Sequence, residues 1–487
     1  MRLRSLLLAL LLSASLPASA AWEDAVNAYN KGDFATAARE FRPFAENGQA
    51  MAQYLMGWFH QAGEGVAQDY AESARWYTRA AERGNADAQQ ALGSYYLSGT
   101  GVPRNDLKAA EWLRKSAEQG RPGAQYLLGY VLARGEGGVR RDEAEAASWT
   151  RKAADQGYAD AQYALALALL SGSGVTRDEP EANQWLRKAA EQKHLDSAYL
   201  LAWNLEKAVG TTPDYTEAAR WYRSAAEAGH AESQFQLATL LRDGRGVSRD
   251  DTAAMDYFRK AAAAGLAQVP GAIDDYMKAG RHDRAFALAD AWLQKNPEDV
   301  ALLLSLGLTA ATEGRSDPVR FAQAARSYGE RAIALIEADR RPSGLDDAQW
   351  AEYRTRWLPM MHLRLGLLAQ KTGQAEAARE RFRKVTALSP KDPYGWIYLG
   401  QTHFSDYQRT MESSRGLDGA AKNAAVGRAY AQLDGVIECY ARALGLPPGE
   451  AGFDAMRDTV LRDLRSYYEF RNGSRAGLDE LLARFRQ

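Results

Sequence analysis

A single cysteine, Cys439, in 487 residues excludes an internal disulfide, and only 15 prolines leave most of the chain free to be helical. Stability must therefore come from packing. An excess of one charge is also missing: 61 Lys and Arg face 62 Asp and Glu, no long block of one sign occurs, and an electrostatic nucleic-acid binder is excluded. None of the six histidines pairs with another at i, i+3 or i, i+4, and no G-x-S-x-G, H-E-x-x-H or Cys/His nucleophile arrangement is present. No catalytic machinery, cofactor or metal site is expected. What is present is 46% hydrophobic and 25% charged residues, rich in Ala and Leu and without strand-like runs, which reads as a mostly helical chain that folds in water.

The apolar run Leu6 to Leu12 follows Arg2 and Arg4 and precedes Ala18-Ser19-Ala20, the order of a secretory signal peptide over residues 1–20. Cleavage is expected before Ala21, leaving a net charge of −3. With no cysteine at that point, a lipoprotein anchor is not expected, and the mature protein is read as periplasmic or secreted. Cys439 falls in the helical pattern Leu433, Ile437, Tyr440, Leu444 and is read as a structural thiol.

The body of the chain is periodic. Trp76, Trp112, Trp149, Trp185, Trp221 and Tyr257 recur at intervals of 36, 37, 36, 36 and 36 residues. Gly48, Gly84, Gly120, Gly157, Gly229 and Gly265 keep the same register, with Lys193 in the missing place. Each unit reads as helix, glycine loop, helix. The first helix carries Ala-Gln and then a large and a small residue, as in Ala52-Gln53 with Met56-Gly57, and the small residue lets the second helix approach. The loops Gly63-Glu64-Gly65-Val66, Gly99-Thr100-Gly101-Val102, Gly172-Ser173-Gly174-Val175 and Gly244-Arg245-Gly246-Val247 place a left-handed cap at the helix end and are not phosphate loops. Asp69/Glu72, Asp142/Glu145, Asp178/Glu181 and Asp214/Glu217 have the spacing of capping boxes.

This ordered set of elements resembles the Sel1-like repeat, with six copies over residues 52–265. The fifth copy has Glu206 to Pro213 in place of the glycine loop, which predicts a looser or differently shaped connection. Some cysteine-rich secreted relatives of that family are linked to antibiotic hydrolysis, but they carry cysteine pairs that this chain lacks. Beyond Gly265, the series Gly366, Ala378, Phe382, Pro390, Trp396 and Gly400 resembles the tetratricopeptide repeat, with Ala285, Pro297 and Gly307 fitting an earlier copy, over residues 266–404. Residues 21–51 are expected to form an N-terminal capping hairpin. If Tyr440 and Pro448 match Phe382 and Pro390, an insertion loop of 24 residues falls within about 405–427, and 428–487 form the last helices and cap. The fold class is an all-α, right-handed helical-hairpin solenoid.

First-helix residues that vary between copies are the candidate partner-binding positions. Tyr54, Tyr126, Tyr163, Tyr199 and Phe235 form a row expected on the concave surface, with Trp58, Tyr130 and Trp203 beside it. The latter positions alternate with Ser94, Leu167 and Thr239, more variation than helix packing usually tolerates. Asp160, Asp196 and Glu232 would make one edge of this groove acidic. His194 and His230 align on neighbouring units next to the turn, where a lone histidine is ordinarily solvated. These features suggest a non-enzymatic scaffold that holds a protein or peptide partner, as exported Sel1-like proteins do in envelope assembly, signalling or host interaction. The alternatives are an envelope enzyme on cell-wall or polysaccharide substrate, marked by two convergent carboxylates in an open cleft, and a polysaccharide-secretion scaffold.

Overall fold

A computed structural model describes residues 16–342, 344–447 and 451–486, which fall into two compact units, Met1–Ala261 and Ala262–Gln487. Most of the expected signal segment and Pro448 lie outside the described residues. Every regular element among those described is helical. The first described helix, Leu16–Lys31, runs through the expected cleavage point and pairs with Phe34–Glu46, where Trp22 packs edge-on to Phe41 and Phe44.

Each repeat in the first unit is a pair of 13-residue helices, beginning with Ala50–Ala62 and Tyr70–Glu82. The small first-helix residues are the points of closest approach. A Cβ on Gly57 would stand 2.5 Å from the Tyr77 ring, and one on Gly93 would stand 2.6 Å from Leu113. The Ala-Gln pair has a polar task as well. Buried Gln53, Gln89, Gln125, Gln162 and Gln234 each donate to the carbonyl of Ala45, Ala81, Ala117, Ala154 or Ala226 at 3.0–3.2 Å, which satisfies a helix-end acceptor inside the stack.

The loop glycines divide the work. The first ends the helix in the left-handed conformation; the second, also left-handed, lies against the start of the second helix one unit earlier. A Cβ on Gly65, Gly101 or Gly174 would overlap the carbonyl of Phe34, Tyr70 or Glu143. Contrary to expectation, the fifth connection has the same form: Ala208 takes φ 61° and Gly210 φ 65°, and Lys193 takes φ 66° at the missing turn glycine. Close packing on Glu179 holds this loop in the common shape although the sequence has changed.

The capping boxes form by half. Asp69, Asp142, Asp178 and Asp214 accept from the backbone N–H three residues on at 2.8–2.9 Å. The later three glutamates do not turn back. Glu145, Glu181 and Glu217 accept instead from the indoles of Trp149, Trp185 and Trp221 at 3.0–3.1 Å and from Arg114, Arg151 and Arg187 of the preceding repeat. The arginine is the first cause that holds each of these carboxyls below the usual range. The bond across repeats joins two opposite charges, where the local cap would join the carboxylate to a neutral backbone N–H.

In the second unit, Gly366 faces the Phe382 ring and Gly400 the Tyr440 ring; a Cβ on either glycine would stand 2.6 or 2.7 Å from the ring it faces, so the two hairpins share one register. The 24-residue insertion is not a loop. It lengthens the two helices into Pro393–Ser414 and Gly419–Gly445, leaving only a short turn between them, because its Ala-rich sequence continues the helical pattern. Cys439 is buried, and burial pushes its thiol up to about 12, out of reach of ordinary thiolate chemistry.

Candidate functional site

The first helices of the third, fourth and fifth repeats are Pro122–Arg134, Ala159–Ser171 and Leu195–Lys207. Each has one face closed by the second helices, through Leu128, Leu165 and Leu201, all fully buried. Tyr130, Leu167 and Trp203, two residues beyond those leucines, remain 45%, 41% and 36% exposed. Trp58 differs from them. It packs at 5.7 Å from both Tyr29 and Phe34, because the N-terminal hairpin covers the first repeat where later ones are open.

The tyrosine row is half-buried and engaged between helices. Tyr54 meets Tyr77 at 5.7 Å, Tyr126 meets Tyr158 at 5.6 Å, Tyr163 meets His194 at 5.1 Å, Tyr199 meets His230 at 5.3 Å, and Phe235 meets Phe258 at 5.2 Å. Burial raises the hydroxyl pKa of Tyr54 to about 12 and shifts Tyr126, Tyr163 and Tyr199 in the same direction. Rings covered in this way pack helices together within and between repeats, and the row is a packing seam with its edge at the surface.

The two histidines are not solvated turn residues. Each caps a first helix: Nδ1 of His194 accepts from the Ser197 N–H, and Nδ1 of His230 from the Ser233 N–H, both at 3.2 Å. Their Nε2 atoms reach Asp160 at 3.4 Å and Asp196 at 3.2 Å in the preceding repeat, and His230 Nε2 lies 3.6 Å from Glu232. Arg121 takes Asp87 in the same fashion at 2.7 Å. Asp160 and Asp196, read from the sequence as part of an acidic edge, are thus joined to the next repeat through a histidine, whereas Glu232 lies beside His230 of its own repeat.

At one end of the stripe, Tyr130, Arg134 and Glu136 line a hollow of about 300 Å³ with Arg104 and Asp106. Its charges are matched. Arg104 binds Asp106 through two bonds of 2.9 Å and thereby lowers the Asp106 pKa, while Arg134 donates to both Glu136 oxygens at 2.7 Å. Both carboxylates of this hollow are thus held by an arginine. Among the described residues, no group of three His, Cys, Asp or Glu side chains is placed to hold a metal.

Sequence reasoning missed the cross-repeat bonds. The signal was present in the recurrence of Arg two residues after each of Trp112, Trp149 and Trp185, with Glu 30 or 31 residues later.

The family profile described as Sel1 repeat matches residues 50–85, 86–120, 122–158, 159–194, 195–230 and 231–266. A solved structure of c5321, a protective antigen present in uropathogenic Escherichia coli strains displaying an SLR fold, is 23% identical. That comparison covers 92% of this chain and 97% of that one at a TM-score of 0.52, a likeness of fold. A Sel1 repeat protein from Oxalobacter formigenes is 28% identical, with 49% of this chain and 94% of that one covered at a TM-score of 0.44. No curated protein matches the chain.

Proposed function

The six units of residues 50–266 are Sel1 repeats, and from that premise we propose that the protein is a non-enzymatic scaffold that works in the periplasm or outside the cell and holds a protein or peptide partner. The partner contacts the first-helix face at Tyr130, Leu167 and Trp203. The observation that carries this reading is the exposure of a large side chain at the same position in three consecutive repeats, on helices whose opposite faces are fully packed. Tyrosine and tryptophan are favoured anchors at such surfaces. Support for export is the order of basic, apolar and small residues in 1–20.

Trp203→Ala is the test. Because Trp203 is 36% exposed, the change should cost under about 1.5 kcal/mol of folding stability, well below the roughly 3–5 kcal/mol of a core tryptophan. Partner capture from a periplasmic extract should weaken by about 2 kcal/mol. A clear fall in melting temperature would make Trp203 a core residue, and intact folding with undiminished capture would remove it from the site. N-terminal sequencing of the exported protein should begin at Ala21.

A further inference from the structure

A second hollow, in the C-terminal unit, differs in its chemistry from the one beside Tyr130. It has a volume of about 600 Å³ and is lined by Thr312, Arg315, Ser316, Leu367, Gln370 and Lys371. No carboxylate is among these lining residues. Among the described residues, Arg315 and Lys371 find no ion-pair partner and the side chains of Ser316 and Gln370 no hydrogen bond, so two cations and two neutral donors are free. In the smaller hollow, both arginines are matched by an acid.

We propose that this hollow binds a small molecule bearing a tetrahedral oxyanion, a phosphate or sulfate ester on a compact polar body. Arg315 and Lys371 would hold the oxyanion, with Ser316 and Gln370 donating to its remaining oxygens and Leu367 flooring the site. A guanidinium and an ammonium are the side chains that suit such an anion. The hollow lies where the helices Val300–Glu313 and Leu358–Lys371 end. Their carbonyl ends oppose an anion with about −0.5 charge each, and Glu313 and Asp317 flank Arg315 in the chain without lining the hollow, so the attraction rests on the two cations that do line it. A volume of about 600 Å³ exceeds what a bare oxyanion fills and is within the range of small-molecule sites.

The experiment is calorimetric titration of the full chain with a hexose monophosphate, a hexose monosulfate and the unsubstituted hexose. Either ester should bind saturably and at least tenfold more tightly than the plain sugar, and the tighter ester names the source of the anion. Binding should fall at least tenfold in R315Q/K371Q and remain unchanged in R104Q, whose arginine lines the smaller hollow. Lys371 also suits its helix end, so melting curves of R315Q alone accompany the titrations, since Arg315 lies outside both helices and its loss leaves them intact. Binding of neither ester, equal binding of the plain sugar, or undiminished binding by a folded R315Q overturns the proposal.

Discussion

The loops of the fourth and fifth repeats can be laid side by side. Gly172 and Gly174 hold φ at 78° and 70°, while Ala208 and Gly210 hold it at 61° and 65°. The first position needs the left-handed conformation and accepts alanine at a cost, because a Cβ at Gly172 meets nothing closer than ordinary van der Waals contact at 3.7 Å. The second needs glycine for a different reason: no atom fits between it and the neighbouring helix start, Glu143 in one case and Glu179 in the other. Two glycines that look equivalent in a motif thus carry unequal constraints, and the fifth repeat has relaxed only the weaker one.

Substitutions at the two positions would break this comparison if it is wrong. Gly174→Ala places a methyl over the Glu143 carbonyl and adds left-handed strain, so it should cost at least about 3 kcal/mol by denaturant unfolding. Gly172→Ala, with no atom closer than 3.7 Å to the new methyl, should cost roughly 0.5 kcal/mol, the left-handed strain less the freedom that glycine returns to the unfolded chain. Equal losses at the two sites would refute the division of work.

The C-terminal unit extends the contrast, since it stores a buried ionisable group where the array stores glycine geometry. Burial, followed by the nearby Arg381 and Lys384, lowers the His362 pKa from 6.5 to about 4, and its Nδ1 lies 3.1 Å from Arg381. Glu337, at 3.8 Å from Nε2, is too exposed to offset this. A base with a lowered folded pKa takes up protons more readily when unfolded, so its contribution is present above pH 6.5 and is lost as the pH falls toward 4. The loss should reach about 3 kcal/mol for this unit. His362→Gln should flatten that part of the pH profile; an unchanged slope would assign the acid sensitivity elsewhere.

Gly129→Val tests the helix contact within a repeat. A Cβ on Gly129 already stands 2.5 Å from the Thr150 hydroxyl and 2.9 Å from the Ala146 carbonyl, so the larger side chain should cost about 1–3 kcal/mol. An unchanged melting curve would show that the helix pair can separate without penalty.

These sites show what was legible in the sequence. The register of Trp76 to Tyr257 and the small residues Gly57, Gly93 and Gly129 marked the helix pairs, because packing repeated every 36 or 37 residues must leave a periodic trace. The shape of the fifth loop was not legible: its backbone is imposed by Glu179 across the repeat boundary and not by its own residues. The histidine caps escaped for a related reason. Their partners Asp160 and Asp196 lie 34 residues earlier, and a residue beside a turn looks solvated until the preceding unit is stacked on it. Likewise, the glutamates of the apparent capping boxes were diverted by arginines that local spacing does not include. Size variation at one position pointed to Trp58, Tyr130 and Trp203; Tyr130 and Trp203 are exposed, together with Leu167, whereas Trp58 is covered by the N-terminal hairpin, and the neighbouring rings, with Gln90 in their place in the second repeat, are seam residues.

The smallest expected effect is also the most direct probe of the fifth repeat. Lys193 and Ala208 bracket the helix Leu195–Lys207, both exposed and both left-handed, at positions where other repeats use glycine. An L-residue in that conformation costs about 1–2 kcal/mol. Glycine removes the strain but returns about 0.5–1 kcal/mol to the unfolded chain through its greater freedom. Lys193→Gly and Ala208→Gly should therefore each stabilise the protein by roughly 0.5 kcal/mol, the difference of those two terms. The sites are separated by a helix roughly 20 Å long, so the effects should add to about 1 kcal/mol in the double variant. Denaturant unfolding of the four proteins resolves a shift of that size. A double variant no more stable than the parent would mean that the lysine and alanine side chains make compensating contacts, and that the fifth repeat retains its shape without strain.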